Sequence, residues 1–126
     1  MSFVDYVSNI REALSLAALS GLTVSSTFHE EQRSVSGGFI RGIVKFLDGS
    51  ELHFREFVDT TLTEPRLMYA YHYQDAMRQL FFRYDNAAHK PALVQPEHKH
   101  TPGGVELVSA QALESIIWEI IHMFFP

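Results

Sequence analysis

The chain has 126 residues and no cysteine, with 46% hydrophobic and 20% charged residues and a net charge of −5. This size and balance describe one globular domain, residues 1–126, and exclude a disulfide scaffold, a thiolate metal site and a cysteine nucleophile. The acidic balance argues against a broad nucleic-acid footprint, which needs a basic face, and leaves room only for a local basic cleft.

The first residues, Met1 to Tyr6, lack the basic stretch and apolar run of a secretory leader. No apolar run approaches the roughly 18 residues of a membrane span. The longest, Ile116 to Pro126, is interrupted by Glu119 and His122. The expectation is a cytoplasmic protein with no membrane partner.

In chain order, Phe3, Tyr6, Val7, Ile10, Leu14, Ala17 and Ala18 recur at three- and four-residue spacing and predict a helix over 3–19. Ser2 supplies the N-cap, and Gly21 the stop. The pattern then switches to β-branched residues and alternation. Strands are predicted over 22–34 and 39–47, with Gly37-Gly38 as the turn between them. Asp48-Gly49 between Val44-Lys45-Phe46 and Leu52-His53-Phe54 predicts a tight hairpin, because such turns need positive φ. Further strands are predicted over 50–59, 67–74 and 79–85, with Ala76-Met77-Arg78 as the last turn. Residues 86–108, which hold three prolines and Gly103-Gly104, read as mostly irregular, with a short extended piece at 105–108. Ser109 is read as the cap of a final helix with Leu113, Ile116, Ile117, Ile120, Ile121 and Phe124 as its apolar stripe. The predicted fold is α+β: an antiparallel β-meander of four to five strands, with N- and C-terminal helices packed on the sheet.

The chemistry-bearing residues gather late in the chain. Alternation puts Glu56 on the apolar side of its strand, where a carboxylate must be paired or protonated; Arg41 and Arg83 are the candidate partners. Tyr69, Tyr71 and Tyr73 share a face, and such a row either stacks bases or stabilises the sheet. Arg83 and Asp85 share a face at the end of a strand, followed by Asn86 and His89. Pro96-Glu97-His98-Lys99-His100 places two histidines on one side of an extended backbone. His89, His98 and His100 with Asp85 would suit a transition metal, but the spacing matches no established metal motif. The same imidazoles can exchange protons near neutral pH without a metal or other cofactor. A solvated, histidine-rich loop is the plain alternative.

These residues carry a resemblance. The run Gly42 to Glu56 leads into Tyr71-His72-Tyr73-Gln74, then Phe82-Arg83-Tyr84-Asp85-Asn86-Ala87-Ala88-His89, then Pro96-Glu97-His98-Lys99-His100. This resembles the TumE family, small prokaryotic proteins regarded as toxins of type II toxin–antitoxin pairs. The similarity covers roughly residues 38–122, and its specific part runs from Arg83 to His100. Ala88 stands where such proteins often have proline. The resemblance implies a cytoplasmic toxin neutralised by a cognate antitoxin protein, in such pairs usually a DNA-binding one. It implies no settled biochemical activity.

The activity read from the residues themselves is a metal-independent endoribonuclease. His98 or His100 takes the 2′-hydroxyl proton, His89 protonates the leaving oxygen, and Arg83 and Lys99 offset the phosphorane charge. Asp85 and Glu56 complete the catalytic set, and Tyr71, Tyr73, Asn86 and Arg55 are assigned to binding RNA. Two alternatives stand beside it: a non-catalytic protein-interaction or anion-binding module, and a metal-dependent hydrolase using the histidines. Trp118, Met123, Phe124 and Phe125 offer a face for a second subunit, which would make a homodimer.

Overall fold

Ser2 opens the first helix with a reciprocal cap. Its hydroxyl accepts from the Asp5 backbone N–H, and the Asp5 carboxylate accepts from the Ser2 N–H, both at 3.1 Å. The computed structural model describes residues 1–126, and α1 spans Phe3–Leu19. It buries Phe3, Val7, Ile10, Leu14 and Ala17 along one stripe. Gly21, at φ 77°, ends it.

Seven strands follow: β1 Thr23–Gln32, β2 Gly37–Phe46, β3 Glu51–Asp59, β4 Arg66–Gln74, β5 Leu80–Asp85, β6 His98–Thr101 and β7 Gly104–Leu107. They form one antiparallel sheet in the order β1 to β7, each strand beside its sequence neighbour. The count corrects the expected four or five. The two added strands come from the stretch read as mostly irregular, where the extended piece expected at 105–108 is β7 and β6 was not expected. Each is only four residues long, and Thr101 pairs with Gly104 across a Pro102-Gly103 turn. Proline and glycine there mark a turn inside a short hairpin, not the absence of strands.

Two local expectations also need correction. Gly37 and Gly38 belong to β2, and the β1–β2 turn lies at 34–36. A Cβ on Gly38 would stand 2.4 Å from the Glu31 carbonyl oxygen and 2.8 Å from the Phe3 ring, so this glycine admits α1 against the sheet. The final helix, α2, spans Leu113–Phe124, and its N-cap position is Ala112, with no side-chain cap. The Ser109 hydroxyl instead accepts from the Gln111 side chain at 3.1 Å. The Asp48-Gly49 hairpin is as expected: Gly49 has φ 85°, and the Asp48 carboxylate accepts from the Ser50 backbone N–H at 2.9 Å.

Both helices cover the same face of the sheet. Ile40, Val44, Leu52, Phe54, Tyr69, Tyr71, Tyr73 and Phe82 from the strands meet Ile116, Ile117 and Ile120 of α2 and the α1 stripe in one core. The alternate residues of β2 to β6 point to the other face, which carries no helix. That face positions the site. No helix is long and apolar enough to cross a membrane.

Candidate functional site

Cross-strand register turns the helix-free face into ordered rows. One row runs His29–Arg41–Arg55–Ala70–Asp85–His98 across β1 to β6. The next runs Thr27–Ile43–His53–His72–Arg83–His100. On the other side of the first lies Glu31–Phe39–Phe57–Met68. Residues directly opposite on adjacent strands are in contact range. At a strand spacing of about 4.8 Å, Arg41 and His98 stand about 19 Å apart along their row.

The rows are mostly cationic or titratable in a chain whose net charge is negative. Arg41 and Arg55 face one another directly, an arrangement that is unfavourable unless something anionic lies on them. No carboxylate pairs with either, whereas Arg11, Arg33, Arg66 and Arg83 all have acidic partners. Ala70 is the one small side chain in its row. It leaves a groove of about 620 Å³ whose walls include Arg41, His53, Arg55, His72 and Arg83. Phe39 and Phe57 stack at 4.4 Å beside the arginines, and Phe39 is 36% exposed.

The rows end in a compact polar cluster. Asp85 is buried, yet its carboxylate is fully engaged. Arg83 Nε donates to Oδ2 at 3.0 Å, and the Ala87 backbone N–H donates to Oδ1 at 3.0 Å. His98 Nε2 lies 3.1 Å from Oδ1, and His100 Nε2 lies 3.7 Å from Oδ2. The loop of residues 86–97 folds back over these groups and brings His89, with its ring 5.3 Å from His98 and 5.7 Å from His100. Two of the three histidines are held by backbone. His98 Nδ1 donates to the Pro96 carbonyl at 2.7 Å, and His89 Nδ1 to the Pro91 carbonyl at 2.9 Å. His100 is held below the usual histidine range by burial, helped by His98, His89 and Arg83 and opposed by Asp85. Burial and then Arg83 do the same to His72.

Of the residues singled out from sequence, the structure brings together Arg83, Asp85, His89, His98 and His100, with Arg55 in the same row as Asp85. The others lie elsewhere. Lys99 alternates to the core side, pairs with Glu119 on α2 at 3.2 Å and sits over the Tyr84 ring. Tyr84 and Glu119 outweigh the effect of its burial and raise its pKa. Asn86 is structural in its contacts: its carbonyl accepts from the Tyr69 N–H at 3.0 Å, and its amide donates to the Leu67 carbonyl. Tyr71 and Tyr73 are buried against the helices, so neither ring is open for stacking. Glu56 is 1% exposed and is paired not with Arg41 or Arg83 but with two tyrosines. Tyr6 donates to one carboxylate oxygen, and Tyr71 to the other at 2.9 Å. Arg66 in turn donates to the Tyr71 hydroxyl at 3.0 Å. Burial outweighs these hydrogen bonds and raises the Glu56 pKa.

Sequence reasoning passed over His29, His53 and His72, and it cast Arg41 only as a partner for Glu56. Part of the signal was available: Arg41, His53 and His72 each alternate with buried residues in their strands, whereas His29 lies in β1, which has no buried residue, and the register that aligns them is not local.

A search of the curated proteins gave no match, and a search of solved structures gave none. Among protein families, the model described as Toxin TumE matches residues 12–124, which takes in every strand, the histidine–aspartate cluster and α2. The chain therefore belongs to the TumE toxin family.

Proposed function

We propose that this toxin belongs to a type II pair, is neutralised by a cognate antitoxin in the cytoplasm, and acts by cleaving single-stranded RNA laid across the helix-free face of its sheet. The observation that carries this reading is the row in which unpaired Arg41 and Arg55 lead to Asp85 and His98. Arginine binds phosphate through a planar fork of donors, and an aromatic edge beside it offers apolar contact to a base. Phe39, 36% exposed and stacked on the half-buried Phe57, provides that edge beside the arginines. A local cationic face of this kind answers the objection from net charge, because attraction depends on the potential at the groove.

Cleavage falls to the cluster at the end of the row. The 2′-oxygen forms a bond to phosphorus as the bond to the 5′-oxygen breaks; a proton leaves the first and one is returned to the second. Arg83, 31% exposed at its side chain, faces the groove and offsets phosphate charge. The metal-independent division of roles expected from sequence meets an obstacle at His98. Both of its ring nitrogens are engaged, one by the Pro96 carbonyl and one by Asp85, so it is not free to act as the base. Lys99 is turned toward α2 and takes no part.

The test is expression in a bacterial host without the antitoxin. Growth slows and cellular RNA is cut; His100→Ala and Arg55→Ala, both checked for folding, relieve the two effects together. Arrested growth with intact RNA would overturn the reading in favour of a non-catalytic protein-interaction or anion-binding module.

A further inference from the structure

The cluster of Asp85, His98 and His100, with His89 at its rim, has the form of a metal centre. We infer that Asp85, His98 and His100 bind one divalent transition-metal ion of the zinc–cobalt class, with His89 at the rim as the nearest further ligand; the inference rests on the same cluster as the proposed cleavage and deepens it.

The protonation pattern is the first argument. A carbonyl oxygen only accepts, so the Pro96 contact fixes the His98 proton on Nδ1. His98 Nε2 then presents its lone pair toward Asp85 Oδ1 at 3.1 Å, inside a pocket where both side chains are almost fully buried. Two acceptors at that distance repel unless a cation joins them. Either a second proton sits on His98 or a metal ion lies between the nitrogen and the carboxylate.

The geometry fits the metal. Ligand atoms of Asp85, His98 and His100 all lie within 4.8 Å of one another. Two ligands, each about 2.0–2.1 Å from a tetrahedral ion, stand about 3.3 Å apart, close to the His98–Asp85 separation. The surroundings match those of ligating residues. Histidines that bind metals through Nε2 characteristically donate Nδ1–H to a carbonyl or carboxylate, which fixes ring orientation and tautomer. His98 and His89 both do so. A ligating carboxylate is itself held by donors, and Asp85 accepts from Arg83 and from the Ala87 N–H. Imidazole and carboxylate together select a borderline first-row ion over magnesium or calcium, which prefer oxygen alone. Such an ion, bound beside Arg83, would offset charge on a phosphate in the groove.

The experiment uses the full chain, stripped with a chelator and titrated calorimetrically with Zn²⁺ and separately with Co²⁺, whose visible absorption reports tetrahedral coordination. One equivalent of ion should bind. His100→Ala and His89→Ala, both at partly exposed positions, should each weaken binding by at least the roughly 10–100-fold that disturbing an outer-shell partner costs. His98→Ala should do so more strongly, provided circular dichroism shows it folded. His53→Ala, on the same face outside the cluster, should leave stoichiometry and affinity unchanged. Absence of stoichiometric binding, or equal binding by wild type and by His100→Ala and His89→Ala, would overturn the inference and leave His98 as an imidazolium paired with Asp85. The readout is independent of cleavage. Metal bound with RNA left intact would sink the proposed activity alone; RNA cut by a protein that takes up no metal in the titration would sink the metal centre alone.

Discussion

His98 and Asp85 are opposite partners in the β5–β6 ladder, and each is buried: the imidazole Nε2 lies 3.1 Å from Oδ1, with side-chain exposures of 2% and 5%. β6 is only four residues long. A strand this short makes few backbone hydrogen bonds to β5, and this polar contact adds to them. Breaking a buried charge-assisted pair by removing one member typically costs about 3–5 kcal/mol, because the remaining group is left without a partner. Asp85→Ala would strand both His98 and Arg83. A loss of this size is expected in urea unfolding of the metal-free protein. A loss below about 1 kcal/mol would mean that the cluster contributes little to holding β6 and β7 in the sheet.

The opposed Arg41 and Arg55 predict a trade between stability and binding. Like charges directly across a strand pair are unfavourable by an amount on the order of 0.2–1 kcal/mol. Arg55→Ala should leave the melting temperature unchanged or slightly raised while weakening binding to a short single-stranded RNA. For single strands, each phosphate contact contributes about −0.7 to the slope of log K against log salt. Loss of one contact should flatten the measured slope by about that much. An unchanged slope and affinity would remove Arg55 from the RNA-binding surface.

Gly49 predicts a backbone effect in the β2–β3 hairpin. Its φ of 85° is strained for any residue with a Cβ, and a Cβ there would stand 2.8 Å from that of Ala76. Gly49→Val adds a β-branch to both problems. The variant should unfold at lower urea than wild type, by an amount on the order of 1–3 kcal/mol of stability. Wild-type stability in that titration would contradict the turn conformation.

How much could be read from the sequence follows from which interactions are local. The α1 cap, the Asp48-Gly49 turn and the alternation of β2 to β5 are each set by residues within a few positions, and all were legible. Of the β6–β7 hairpin only β7 was, as the extended piece at 105–108; β6 was not. His98 to Thr101 contains no apolar residue, and its alternation is between side chains bound to Asp85 and one bound to Glu119. A strand recognised by apolar periodicity is invisible when polar groups on both faces hold it in place. The same limit applies to the site. Arg83, Asp85, His89, His98 and His100 lie close enough in sequence to be noticed as a group. His29, Arg41 and Arg55 join Asp85 only through the register of five strands, which no local pattern specifies. Glu56 was legible as a carboxylate on an apolar face, but its partner was not. Tyr6 is 50 residues away on α1, and a tyrosine in a helical stripe reads as a core residue.

Glu56 provides a pH-dependent test that is separate from the functional site. Its carboxylate faces Tyr6 from α1, Tyr71 and Arg66 from β4, and Glu64 from the preceding turn. Burial is the largest influence and raises its pKa above the ordinary 4.5, despite the two tyrosine hydroxyls and Arg66, which favour the charged form. In the unfolded chain, Glu56 ionises near its ordinary value. Below that value both states are protonated, and the contribution to stability is fully present. As pH rises past it, the unfolded state releases a proton that the folded state retains, so stability falls until the folded carboxyl also ionises. Glu56→Gln removes the ionisation and keeps a side chain able to meet Tyr6 and Tyr71. The exposed acidic groups elsewhere, such as Asp5 and Asp59, are common to both proteins and cancel in the comparison. Urea unfolding of wild type and Glu56→Gln between pH 4 and pH 7 should therefore show the difference moving steadily in favour of the variant as pH rises. A difference that stays constant, or moves in favour of wild type, would mean that Glu56 is held as a carboxylate in the folded state by Tyr6, Tyr71 and Arg66, with burial the weaker effect.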